Sequence, residues 1–255
     1  MRLVRYEIDG SSGYGILGRD EVAELDGDIL GEFKPGAGSH ALSHVRLLAP
    51  VVPGKIVAVG LNYRDHAVEL GLPSPDDPII FLKPPTTVIG PGEAVVYPAM
   101  SSRVDYEAEL GVVIRDRVHA ISPQEAKDHI LGYTCANDVT ARDLQKKDGQ
   151  WTRAKSFDSF CPVGPWIETD LDPADLLVEC YLNGQRRQSS RTKQFIFPVP
   201  YLVSFISEVM TLAAGDLIIT GTPSGIGPMK PGDEIEVRIE GIGSLKNRVI
   251  ADRGM

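Results

Sequence analysis

The sequence predicts a mainly β protein of the α+β kind. Three observations carry this: 26 glycines and 19 prolines punctuate the 255 residues, the segments between them are short and extended, and only two stretches show helical caps or periodicity. RLVRYEID, YGIL and EVAELD are extended runs separated by Gly, Ser and Asp turns and followed by the polar EFKPGAGSHA. VVPGKIVAVGLNY then opens a second unit, with Pro53-Gly54 as a turn and Lys55 to Gly60 as a buried strand. The expected organisation is a small N-terminal β domain over residues 1–52 and a larger domain over residues 53–255. Ser122-Pro123-Gln124-Glu125 has the form of a capping box, Ser at the N-cap, Pro at N1 and Glu at N3, and predicts a short helix running to about Ile130. After Pro200, Leu202, Phe205, Ile206 and Val209 fall at i, i+3, i+4 and i+7, predicting a second helix buried on that face. Ile235, Val237 and Ile239 alternate with charges in EIEVRIE, and Gly241-Ile242-Gly243 leads into SLKNRVI, which together read as a hairpin.

Composition narrows the function classes. Hydrophobic residues at 42% with 24% charged describe an ordinary globular chain, neither disordered nor fibrous. Thirty-five acidic against 26 basic residues give a formal charge of −9, and no basic block stands out, so nucleic acid and anionic membranes are excluded as expected partners. No stretch approaches the ~18 apolar residues of a spanning helix, the start has no signal-peptide run, and a cytoplasmic location is expected. Cys135, Cys161 and Cys180 are widely spaced and form no C-x-x-C pair, which predicts small core residues rather than a disulfide framework or a zinc site.

The most informative stretch is DYEAELGVVI. On a strand Glu107 and Glu109 share a face, with Cβ atoms roughly 6–7 Å apart. They are either a solvated strand face or a pair that binds something. The following LGVVI is apolar on both faces, which places the pair in a sheet interior where unpaired carboxylates are costly and a divalent cation would offset that cost. Hard oxygen ligands favour Mg²⁺, Mn²⁺ or Ca²⁺. Asp138, at the end of the short strand YTCAN, is either a turn former or the third ligand. In NYRDHAVE, His66 and Glu69 stand at i and i+3 and on a helix can hydrogen-bond, either as a surface pair or as a general base whose tautomer the carboxylate fixes. Lys155 in WTRAKSFD is a surface amine or a buried one, and GTPSG after LIIT is a plain turn or a binding loop. Phosphate-loop, G-x-S-x-G and dinucleotide fingerprints are absent, so serine-hydrolase and dinucleotide readings fall away.

GLNYRDHAVE, FLKPPT, DYEAELGVVI, ANDVTARDLQ, WTRAKSFD and GTPSGIG, in this order and spacing, resemble the fumarylacetoacetate hydrolase family from about Lys55 onward. The first fifty residues resemble the small N-terminal domain of some bacterial members. The resemblance implies a catalytic domain that is a mixed β-sandwich roll, usually in a homodimer, with Mg²⁺ or Mn²⁺ on Glu107, Glu109 and Asp138. It implies His66 and Glu69 as the water-activating pair, Arg142, Gln145 and Lys155 in the substrate pocket, and Thr222 as a contact to the substrate carboxylate. Lys155 and Gln145 would stabilise an oxyanion. The implied activity is on small anionic 2-oxo or 2,4-dioxo acids through a metal-stabilised enolate, with acylpyruvate-type C–C hydrolysis placed first. The alternatives are 2-hydroxyhepta-2,4-diene-1,7-dioate isomerase and 5-oxopent-3-ene-1,2,5-tricarboxylate or oxaloacetate decarboxylase activity. ELGLPSPDDP and QSSRTKQFIF are the segments expected to set specificity.

Overall fold

The run AELGVVI forms the strand Ala108–Ile114, every residue of which is buried. Its two faces belong to different cores: Leu110 and Val112 pack in one cluster, Val113 in another. This strand is central in the computed structural model, which describes residues 1–252. It pairs antiparallel with Ile130–Asn137 on one side and Leu217–Ile219 on the other. Beyond Leu217–Ile219 come Ile56–Val59, in parallel, and Ile80–Lys83. After Lys83 the chain folds back so that Val88–Ile89 pairs with the strand Cys161–Glu168, itself the other neighbour of Ile130–Asn137. The large sheet is thereby curled into a roll.

A five-stranded sheet, Gln185–Arg191, Leu177–Leu182, Glu234–Ile239, Gly243–Ala251 and Ala94–Tyr97 in that order, covers one face. Val178, Cys180, Val237 and Leu245 from it join Leu110, Val112 and Cys135 in the main core, the sheet-on-sheet arrangement of a sandwich. The predicted C-terminal hairpin is present, Glu234 pairing with Arg248 and Ile239 with Gly243. All three cysteines are free and buried.

The N-terminal strands Arg2–Ile8, Ser11–Leu17, Glu21–Gly27 and Phe33–Ala41 form a meander. It continues the large sheet, because Arg2–Ile8 pairs with Cys161–Glu168 and Leu3 opposes Ile167. Pro53-Gly54 lies in the strand-free link between Arg46–Leu48 and Ile56–Val59.

Two helical expectations are corrected. Half of the capping box at Ser122 forms, Glu125 Oε2 accepting from Ser122 N at 2.8 Å, but the Ser122 hydroxyl donates to the same oxygen at 2.7 Å and Glu125 N donates to Ser122 O, and a turn and the 3₁₀ segment Ala126–His129 follow instead of an α-helix. Ile130 must enter its sheet, and the few residues left cannot repay helix nucleation. The second helix exists as Val199–Val209, but it buries Val199, Leu202, Val203 and Ile206, and Val209 is 57% exposed. The buried stripe begins a turn earlier than expected, at Val199, directly after Pro198 at the N-cap position.

Candidate active site

The chain crosses from the strand Val104–Tyr106, part of a small three-stranded sheet, to Ala108–Ile114 at Glu107. That joint is fixed by its neighbours. Glu107 N donates to Asn137 Oδ1 at 2.9 Å, Asp138 N donates to Glu107 O at 2.9 Å, and Ala108 N donates to Gln188 Oε1 at 3.0 Å. The joint and the end of Ile130–Asn137 therefore bring Glu107, Glu109 and Asp138 together, with carboxylate oxygens within 4.8 Å of one another and all three side chains buried. Burial works against ionisation of Glu107, but Lys155 and Arg142 prevail and draw its pKa down to about 2. Glu109 goes the other way, raised well above the ordinary carboxylate range by burial and then by Asp138 and Glu107. Among the described residues Glu109 makes no ion pair; its oxygen accepts from Gly221 N at 2.7 Å. Three buried oxygen donors, one without a cation, fit a hard divalent ion such as Mg²⁺ or Mn²⁺.

Cations frame the cluster. Lys155, at the end of the short helix Thr152–Lys155 and 2% exposed, donates to Glu107 Oε2 at 2.9 Å and to Asp138 Oδ2. Lys83, 1% exposed, donates to the other Asp138 oxygen at 2.5 Å and to Phe160 O at 3.0 Å. In FLKPPT nothing local assigns Lys83 a role; the one sequence signal is a lysine closing an otherwise apolar strand. Arg142, first residue of the helix Arg142–Asp148, donates to Asp105 Oδ2 at 3.0 Å, to Gln145 Oε1 at 2.7 Å and to Glu107 Oε1. Arg103 pairs with Asp105 from outside, at 2.8 Å. The carboxylates Asp105, Glu107, Glu109 and Asp138 are thus balanced by Arg103, Arg142, Lys83 and Lys155, and a divalent ion would leave the site net positive and attractive to anions.

The helix Arg64–Leu70 holds His66 and Glu69 on one side, and His66 is buried. His66 Nδ1 lies 2.7 Å from Glu69 Oε2, and Glu69 Oε1 accepts from Gly225 N at 2.9 Å. The GTPSG loop therefore meets both Glu109, through Gly221, and the His66–Glu69 pair, through Gly225. Thr222 lies in the same loop, beside Gln188. Its hydroxyl donates to Ala108 O at 2.9 Å and accepts from Gln188 Nε2 at 2.8 Å. Gln188 opens the segment QSSRTKQFIF expected to set specificity, and its side chain is bonded to Ala108 N, the Thr222 hydroxyl and Pro223 O. Asn62, just before the His-bearing helix, ties the site's strand ends together: its amide donates to Thr220 O at 2.8 Å and Phe197 O at 3.1 Å and accepts from Phe197 N at 2.8 Å. Asn62→Ala is expected to cost ~2–4 kcal/mol, since it strands buried backbone groups; chemical denaturation measures it, and a loss under ~1 kcal/mol would contradict the assignment.

The mainly β roll thus carries a buried, cation-framed carboxylate cluster that could hold a metal ion, with a His–Glu pair bonded to the adjacent loop. A family model described as fumarylacetoacetate (FAA) hydrolase C-terminal matches residues 55–250, and one described as Rv2993c-like, N-terminal matches residues 1–50. The chain belongs to the fumarylacetoacetate hydrolase family. It is 43% identical to oxaloacetate tautomerase YisK of Bacillus subtilis, over 90% of this chain and 79% of that protein. The crystal structure of 2-hydroxyhepta-2,4-diene-1,7-dioate isomerase from Mycobacterium marinum superposes with a TM-score of 0.93 at 45% identity, covering 100% of both chains. Maleylpyruvate hydrolase from Sphingobium sp. SYK-6, in complex with manganese(II) and pyruvate, gives a TM-score of 0.83 at 30% identity, covering 99% of this chain and 100% of that one. Members of the family use divalent metals, and its named members include hydrolases, isomerases and tautomerases. Among the described residues no helix is long and apolar enough to cross a membrane.

Proposed function

We propose that this protein is a Mg²⁺- or Mn²⁺-dependent enzyme acting on small 2-oxo and 2,4-dioxo acids, with hydrolysis of an acylpyruvate-type C–C bond as its reaction. Glu107, Glu109 and Asp138 would hold the ion, which supplies a Lewis acid for the substrate's carboxylate and 2-oxo oxygens. The observation that carries the hydrolytic reading is the buried His66 at 2.7 Å from Glu69, a base with its tautomer fixed. Glu69 holds the proton on Nδ1, which leaves Nε2 to take one from water. The hydroxide oxygen bonds to the 4-carbonyl carbon, and Lys155 with the free amide nitrogen of Gln145 stabilises the resulting oxyanion. The C3–C4 bond then breaks, its electron pair passes into the pyruvate enolate, and C3 takes up the proton that His66 removed from water. We place the protein in the cytoplasm as a homodimer, with residues 1–52 as an accessory domain, and with no nucleic-acid or membrane partner.

A second reading, enol–keto tautomerisation or double-bond isomerisation, is supported by the 43% and 45% identities to a tautomerase and an isomerase. A panel of acetylpyruvate, oxaloacetate and a 2-hydroxydienedioate, each with Mg²⁺ or Mn²⁺, separates them. Metal-dependent release of acetate and pyruvate from acetylpyruvate is the expected result; proton shifts without C–C cleavage would overturn the hydrolytic reading in favour of the second.

A further inference from the structure

The strand Gln185–Arg191 is irregular at one place. Arg186 opposes Tyr181 and Gln188 opposes Cys180, so Arg187 is an extra residue in a β-bulge. A bulge breaks the alternation of side chains and re-aims one of them, a device common beside binding sites. Next to it, Gln188 is 1% exposed and reaches Ala108 N, the Thr222 hydroxyl and Pro223 O, so the bulge lies directly against the GTPSG loop. The packing is close: a Cβ on Gly225 would stand 2.3 Å from Arg187 O, and Gly225 has φ +96°. Gly225 N is the group that holds Glu69, and two residues beyond Gln188 the Ser190 hydroxyl donates to Asp65 of the same helix. Arg187 thus stands where the strand, the loop and the His66-bearing helix meet.

Its charge is unspent. Arg186 pairs with Glu179 at 3.1 Å and Arg191 with Glu240 at 3.0 Å, whereas among the described residues Arg187 makes no ion pair. It is exposed and donates to Gln185 Oε1 at 2.9 Å. The Tyr106 hydroxyl, at the joint beside the cluster, donates to Gly225 O at 3.1 Å, so the Arg187–Gly225 contact also borders that joint.

We propose that Arg187 determines specificity, recognising a second carboxylate at the end of the substrate remote from the Glu107–Glu109–Asp138 cluster. This rests on the proposed function for the head of the substrate and adds what the tail must be. Small oxo acids share a head and differ at the far end, which is uncharged in acetylpyruvate and anionic in a dioate. A guanidinium matches a carboxylate in a two-point hydrogen bond that a methyl group cannot replace.

Arg187→Gln in the full chain is the test, read in two ways. In turnover with Mn²⁺, KM for oxaloacetate or a 2-hydroxydienedioate should rise about tenfold or more, with kcat changed less than about twofold and KM for acetylpyruvate unmoved. In calorimetry on the Mn²⁺-loaded protein, 2-oxoglutarate and 2-oxoadipate should lose affinity by a similar factor while pyruvate does not. Equal loss for monoanions and dianions, or no loss, would overturn the role of Arg187. If the wild-type protein turns over none of the panel, the functional reading fails by itself, and the calorimetric comparison still decides whether Arg187 selects a second carboxylate.

Discussion

Replacing Glu109 by glutamine is expected to abolish divalent-cation binding and turnover while leaving the metal-free protein at least as stable as before. Glu109 is 1% exposed and its pKa is pushed upward by burial, Asp138 and Glu107. Neither Lys83 nor Lys155 bonds to it; both bond to Asp138, and Lys155 also to Glu107. Glutamine keeps an oxygen to accept from Gly221 N and removes a repelled charge. The same change deletes an anionic donor from the three, which should weaken Mn²⁺ binding by more than the ~10–100-fold that losing an outer partner costs. Asp138→Asn should behave oppositely in stability. It leaves two buried ammonium groups short of a counter-charge, a change worth ~3–5 kcal/mol. Thermal melts in chelator, paired with Mn²⁺ calorimetry, check both variants. Retained Mn²⁺ affinity in Glu109→Gln, or a destabilisation matching that of Asp138→Asn, would contradict the division of labour within the cluster.

The contrast between these carboxylates shows which parts of the site local sequence can carry. The Glu-x-Glu spacing before LGVVI placed two carboxylates in a sheet interior, and that much follows from strand period and apolar flanks. Glu107, however, lies at the joint between two strands rather than within one, and what aims it is Asn137, thirty positions away. His66 and Glu69 were legible because i and i+3 on a helix decide their contact. Lys83 was not, because its partner Asp138 is 55 positions distant and the two meet only once the large sheet has rolled up. Arg187 was hidden for the same reason, and Gln188 was legible only as the start of a specificity segment: both border the site through a register shift in a strand of the other sheet. The Ser122 box shows the reverse limit, where local contacts formed but strand pairing from Ile130 overrode the helix they announce. Thr222 lay in the expected loop, and its hydroxyl donates to Ala108 O, a partner 114 positions away.

His66→Ala is expected to lower C–C cleavage by ~10²–10⁴-fold, the usual worth of a positioned general base, with Mn²⁺ affinity unchanged. The sharper test is Glu69. Its two oxygens face different groups: Oε2 faces His66 Nδ1 at 2.7 Å, and Oε1 accepts from Gly225 N at 2.9 Å. In Glu69→Gln the Gly225 N–H requires the amide oxygen on its own side, so the NH₂ is turned toward His66 and must donate to Nδ1. That moves the imidazole proton to Nε2, the nitrogen that accepts one from water in the proposed reaction. Glu69→Gln should therefore lose nearly as much activity as His66→Ala. Glu69→Ala imposes no donor on Nδ1 and should retain more activity than Glu69→Gln, despite being the larger truncation. Combining Glu69→Gln with His66→Ala should add little further loss, because the two residues act as one unit. Steady-state cleavage rates with saturating Mn²⁺ decide the matter: full activity in His66→Ala, or a Glu69→Gln enzyme more active than Glu69→Ala, would remove this pair from the proton path.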